Sequence, residues 1–208
     1  DRLGYIILQR PLEALNMIYP NPRFFETEEN TIDIAELVGK NGLRNVMNYT
    51  EPPDSSTKTN FEYKSDILDK YGRIFSQNEI GKYSGKIKTI CENIMHSEGV
   101  ILVYSGYLDG GVVPVALALE EMGITRYSSV KSLFKTPPVQ NLDLNTYTNT
   151  NSKTAISAKY IMITGDIKFS PNNNADLHVA TQKNNTNGEK VKVILITQAG
   201  AEGLDFKF

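Results

Sequence analysis

The residues best suited to chemistry lie in three short stretches: "YSGY" at 104–107, "TGD" at 164–166 and "TQAGAEGLD" at 197–205. Each sets a hydroxyl close to a glycine. A short hydroxyl and a glycine amide can approach a phosphate and donate hydrogen bonds without side-chain bulk. Turns after strands also favour Ser, Thr, Gly and Asp for capping and for positive φ, so one such turn means little. Three of them on consecutive strands point to a phosphate-handling site. Other chemistries find no support. "GKYSGK" at 81–86 is one residue too short for a phosphate-binding P-loop, and Ile87 stands where a magnesium-holding Ser or Thr is needed. No apolar strand ends in the acidic pair that would hold magnesium. His96, His178 and Cys91 make no metal constellation, and no Ser/His/Asp grouping is present. The sequence therefore nominates no catalytic residue and no metal ligand.

The three stretches each follow an apolar run: "GVILVYS" (99–105), "KYIMITG" (159–165) and "KVILIT" (192–197). None alternates polar with apolar, which predicts strands buried on both faces, as in a parallel sheet covered by helices. Ligands of such sheets bind outside the carboxyl ends of the strands, where these turns fall. Helical patterns lie between the runs. Ile87, Ile90, Cys91, Ile94 and Met95 form one stripe, with Ser84 as N-cap. Val112, Val115, Ala116, Leu119 and Met122 form another, ending at Gly123, and Pro114 falls in its first turn. The predicted class is α/β, a three-layer sandwich with a mainly parallel sheet. Residues 1–83 read as an entering helix ("PLEALNMIY", ending at "PNP") and a polar, irregular segment with a loop at "TEPPDSSTKTN". Residues 84–208 read as the α/β domain, interrupted by a long insertion at 128–158. Loops beyond about 12–15 residues are unusual in compact domains. The low apolar content of this one favours mobility, the alternative being an ordered insertion packed on the domain's edge.

The chain has 208 residues, 40 % of them hydrophobic and 22 % charged, with a formal net charge of −2. That suits a soluble globular protein and lacks the basic surplus of many nucleic-acid binders. The lone Cys91 can form no internal disulfide, which fits a reducing compartment. No apolar run approaches the roughly 18–20 residues that span a bilayer.

The order of "GVILVYSGYLDGGVVPVALALEEMGI", "YIMITGD" and "VKVILITQAGAEGLDFK" resembles the second, C-terminal RecA-like lobe of superfamily 2 helicases and translocases, in particular the helicase-like ATPases of large nucleocytoplasmic DNA viruses. The likeness covers residues 84–127 and 159–208. It implies that Ser105 and Gly106 (motif IV), Thr164 and Gly165 (the Gly-Asp turn), and Thr197 and Gln198 (motif V) contact a nucleic-acid backbone, DNA or RNA. It also implies that Gly203 and Asp205 face a nucleotide across an interlobe cleft. Glu202 stands where the DEAD-box branch has arginine, and "KFSPNNNADLH" lacks that branch's Gln and Arg, which argues against a DEAD-box RNA helicase. On this resemblance ATP and Mg2+ belong to the full-length enzyme, and residues 1–208 alone bind neither. The partners are nucleic acid and the first RecA-like lobe of the same chain, with no membrane. The location is intracellular, at the virion or a viral replication site. The chain would then be a lobe truncated after motif V. Two other readings stand: a Rossmann-like nucleotide-binding domain with a terminal phosphate turn, and a degenerate lobe kept as an interaction scaffold.

Overall fold

A computed structural model describes residues 2–25, 33–49, 60–127 and 132–202. In chain order its elements are helix α1 (Arg2–Ala14), α2 (Gly39–Val46), strands β1 (Met47–Tyr49) and β2 (Phe61–Tyr63), α3 (Ser65–Tyr71), α4 (Gly85–His96), β3 (Ile101–Ser105), α5 (Val113–Glu121), β4 (Thr125–Arg126), β5 (Lys159–Ile163), α6 (Asn173–Ala180), β6 (Val193–Thr197) and the single turn α7 (Gln198–Ala201). β3, β6, β5 and β4 form one parallel sheet in that order, and β1 and β2 form a separate antiparallel pair.

The sheet is the middle of three layers. Ile101, Val103, Tyr160, Met162, Val193 and Leu195 face the main core, where Ile87, Cys91 and Ile94 of α4 and the wholly buried α5 pack on them. Ile161, Ile163, Ile194 and Ile196 face the other way and are covered by Leu177, Val179 and Ala180 of α6. Burying each such side chain contributes about 1.5–3 kcal/mol. The fold is thus the α/β class expected, with a four-stranded parallel sheet flanked by helices, consistent with a RecA-like three-layer sandwich. Local signals work as read. Ser84 Oγ accepts from Ile87 N at 2.9 Å and starts α4, so "GKYSGK" is a helix start. Gly123, at φ +88°, follows the end of α5.

Several expectations need correction. β3 is not buried on both faces: it is an edge strand, and Leu102 and Tyr104 are exposed. The entering helix lies earlier than "PLEALNMIY" and ends at Ala14. Beyond it the chain extends, with Ile18 N donating to Tyr83 O and Tyr19 N to Leu37 O, because Met17 and Tyr19 are drawn into the main core. The polar N-terminal region also supplies Leu43, Val46, Phe61 and Tyr63 to that core. β4 is too short to leave a sequence pattern. The loop "TEPPDSSTKTN" lies almost wholly outside the described residues.

Residues 132–158 are packed rather than loose. Leu133, Phe134 and Leu142 are buried, and the Glu120 carboxylate of α5 accepts from Leu133 N (2.7 Å), Phe134 N (2.9 Å) and Tyr160 OH (2.8 Å). Burial raises the pKa of Glu120, although these bonds and Arg126 oppose the rise. The next residue, Glu121, accepts from Tyr63 OH (2.7 Å) and Arg73 Nε (3.0 Å), and pairs with Arg73 Nη2 at 2.9 Å. Two adjacent carboxylates thereby tie the insertion and the β2–α3 region to one buried helix.

Candidate functional site

Parallel register decides which residues share a level at the sheet's carboxyl rim. Ser105 is paired with Thr197, and Ile163 with Ile196, so Thr164 follows at the level of Thr197 on the next strand. The hydroxyls of Ser105, Thr197 and Thr164 therefore arise side by side, on the same sheet face, from β3, β6 and the end of β5. Sequence alone could order these turns along the chain but not across the sheet.

Each hydroxyl has local work. Ser105 Oγ accepts from Tyr107 N at 3.2 Å. It also lies where a Cβ on Gly111 would come within 2.1 Å, so the wide turn Leu108–Val112 closes over it only because residue 111 has no side chain. Thr197 Oγ1 accepts from Gly200 N at 3.3 Å and caps α7. Accepting there leaves the hydroxyl proton to donate. Thr164 is turned inward: its Oγ1 lies 2.6 Å from Ser170 Oγ and accepts from Asp166 N at 3.2 Å. Its hydroxyl shapes the "TGD" turn, in which Gly165 is exposed. Gln198 is exposed beside Thr197. Gly200 is held against β5: a Cβ there would come within 2.1 Å of Ile163 O.

The rim opens onto separate clefts. Gly106 and Tyr107 border one of about 810 Å³ whose other walls carry Arg10, Glu13, Lys40 and Asp109. Its charge is mixed. Burial raises the pKa of Glu13, and the Asp109 charge adds to the rise. Thr164, Gly165 and Ala199 line another of about 580 Å³ with Ser170, Asn172 and Asn173 at the start of α6. Asn173 Nδ2 donates to Thr164 O at 2.8 Å, while its Oδ1 is buried without a partner. The sequence hinted at Asn173 and Ser170 only as members of a polar, Asn-rich run.

Gly203 and Asp205, the residues nominated for nucleotide, lie outside the described residues. Among the described residues no group of three His, Cys, Asp or Glu could hold a metal. Burial pushes the Cys91 thiol up to about 11, which keeps it protonated and unreactive. No helix among them is long and apolar enough to cross a membrane. No protein-family model, curated protein or solved structure matches the chain.

Proposed function

We propose that the carboxyl rim of the sheet is a backbone-contact surface for single-stranded nucleic acid, within one lobe of an ATP-driven helicase or translocase. The observation that supports this reading most is the register that sets the Ser105, Thr197 and Thr164 turns side by side. Adjacent parallel strands are about 4.8 Å apart, so exposed groups on neighbouring turns can meet successive parts of one extended backbone. Exposed Gly106, Gly165 and Gln198 and half-buried Ser105 make the contacts, the buried Thr197 contributes only its hydroxyl from behind Gln198, and Thr164 holds the middle turn in shape. Such contacts read no base, and they weaken with salt as bound counterions are released. ATP and Mg2+ are held between this lobe and the first RecA-like lobe, with Gly203 and Asp205 on this side of the cleft. Catalysis of phosphoryl transfer comes from groups supplied elsewhere.

The test is fluorescence anisotropy of labelled single-stranded DNA, its RNA counterpart and a duplex over a salt series. The expected result is weak, sequence-independent binding whose log affinity falls linearly with log salt, and which drops in Gln198→Ala. No binding at low salt, or binding indifferent to Gln198→Ala and Thr197→Val alike, would overturn the reading. Residues 1–208 alone should show no magnesium-dependent ATP turnover, since they hold neither a P-loop lysine nor an apolar strand that ends in an acidic pair.

A further inference from the structure

The cleft between the "TGD" turn and the start of α6 differs in chemistry from the rim that it adjoins. Gly165 packs on α7, where a Cβ would come within 2.7 Å of Ala199 Cβ, so the cleft opens beside the Thr197–Gln198 turn. Its walls are neutral. Asn172, Asn173 and Asn174 bring carboxamides to it, Ile167 and Pro171 give it an apolar side, and none of its described lining residues is charged. The acid of the turn, Asp166, uses Oδ1 to accept from Lys168 N at 2.9 Å. A phosphate seated in this cleft would meet no cation among the lining residues.

Asn173 shows what the cleft lacks. Its carboxamide orientation is fixed, because only the amide nitrogen can donate to Thr164 O, 2.8 Å away. Oδ1 is left as an acceptor buried without a donor. Buried polar groups without a partner are rare and costly. The rim works the other way: its hydroxyls, glycine amides and Gln198 offer donors, which phosphate oxygens satisfy. Phosphate has no proton to give back to Oδ1, and neither has the sugar within a DNA strand. The ribose of RNA has one, since its 2′-hydroxyl both donates and accepts. Base edges carry donors too, but the sugar is bonded directly to the phosphate. It is therefore the part of a strand that lies next to a backbone contact at Gly165.

We propose that this cleft seats a ribose of the bound strand and that Asn173 Oδ1 accepts from its 2′-hydroxyl, so that the rim selects RNA over DNA. The inference rests on the nucleic-acid reading of the rim and names its substrate. Phosphates lie on Gly165 and on the Thr197–Gln198 turn, and the sugar beside them enters the cleft with its carbon face against Ile167 and Pro171. Asn173 is half-buried, and the terminal torsion of Asn is broad, so a small turn presents Oδ1 to the hydroxyl. The exposed carboxamides of Asn172 and Asn174 flank it.

Anisotropy with single strands of one sequence tests this: DNA, RNA, and 2′-fluoro RNA, which keeps the RNA sugar pucker but has no hydroxyl to donate. One hydrogen bond of typical net strength corresponds to about a 3–10-fold difference in affinity. RNA should bind tighter than DNA by that factor, and 2′-fluoro RNA should bind like DNA. Asn173→Ala should bring the ratio of RNA to DNA affinity close to one. The ratio is the readout because losing the Nδ2 bond to Thr164 O would by itself lower both affinities together. A lowered affinity with an unchanged ratio would overturn the inference. Equal binding of DNA and RNA by the wild type would overturn it and leave the reading of the rim standing; binding of no strand would sink that reading, and the inference with it. Two further results count against it. 2′-Fluoro RNA that binds as tightly as RNA would assign the preference to strand shape, and a preference that follows the base in homopolymer strands would assign Oδ1 to a base edge.

Discussion

Thr197 carries two demands on one hydroxyl. It accepts from Gly200 N to cap α7, and in the proposed reading it donates to a phosphate. Thr197→Val keeps the shape and removes both, so it should cost about 1 kcal/mol of stability through the lost cap and weaken nucleic-acid binding further. Gln198→Ala touches only the exposed side chain and should lower affinity with Tm unchanged. Measuring Tm and anisotropy on the two variants separates capping from binding; equal Tm losses would mean that both act through the fold. Gly200 makes a purely steric demand. Gly200→Ala would bring Cβ within 2.1 Å of Ile163 O, and the shift needed should cost about 1–3 kcal/mol in urea unfolding. Glu120 gives a pH dependence. Burial raises its pKa in the folded chain, so the fold binds that proton more tightly than the unfolded chain does. Its contribution is full below the ordinary carboxylate pKa of about 4.3 and is lost as pH rises through the raised value. Glu120→Gln stays neutral throughout, so wild type should lose stability relative to the variant as pH rises above the ordinary carboxylate range and through the raised value. A pH-independent difference in urea midpoints would refute this.

At the scale of elements, α5 is the anchor. It is buried on every side, and its two terminal carboxylates reach different segments: Glu120 the backbone at 133–134, Glu121 the β2–α3 region through Tyr63 and Arg73. Arg73 also lies over the Tyr63 ring, 5.0 Å from its centroid. Arg73→Met keeps much of the stem but leaves the buried Glu121 carboxylate without its cation. Removing one partner of a buried pair costs about 3–5 kcal/mol, and Arg73 is partly exposed, so a loss near the lower end is expected. Thermal unfolding of Arg73→Met and of the double variant Arg73→Met/Glu121→Met checks it. The double variant should recover part of the loss, since it removes the orphaned charge. These anchors explain why 132–158 packs despite its polar composition: the ordering is supported from α5 and the core, not from within the segment.

For the molecule as a whole, one core cluster joins Met17, Tyr19, Leu43 and Phe61 from the N-terminal region to Val193 and Leu195 of the sheet. Unfolding of residues 1–208 should therefore be one cooperative transition, with far-ultraviolet circular dichroism and tyrosine fluorescence giving the same midpoint. Two separated midpoints would show that residues 1–83 fold apart from the sheet.

The sequence by itself determined what local patterns can encode. Runs such as "VILIT" and the Ile87–Met95 stripe specify strand and helix through burial periodicity, and Ser84 and Gly123 mark helix ends through backbone hydrogen bonding and φ. These were enough for the α/β class, the parallel sheet and the three turns at its rim. Only tertiary structure decided the order of strands, because no residue in β3 states that β6 will be its neighbour. That order makes β3 an edge, so a run that reads as buried on both faces exposes Leu102 and Tyr104. It sets Ser105 level with Thr197 and turns the Thr164 hydroxyl inward to Ser170. It also gives the buried Glu120 and Glu121 their partners, Tyr160 and the backbone at 133–134 for the one, Tyr63 and Arg73 for the other. Pairing across the sheet and burial of charge depend on residues dozens of positions apart, and periodicity within a short window holds no record of them.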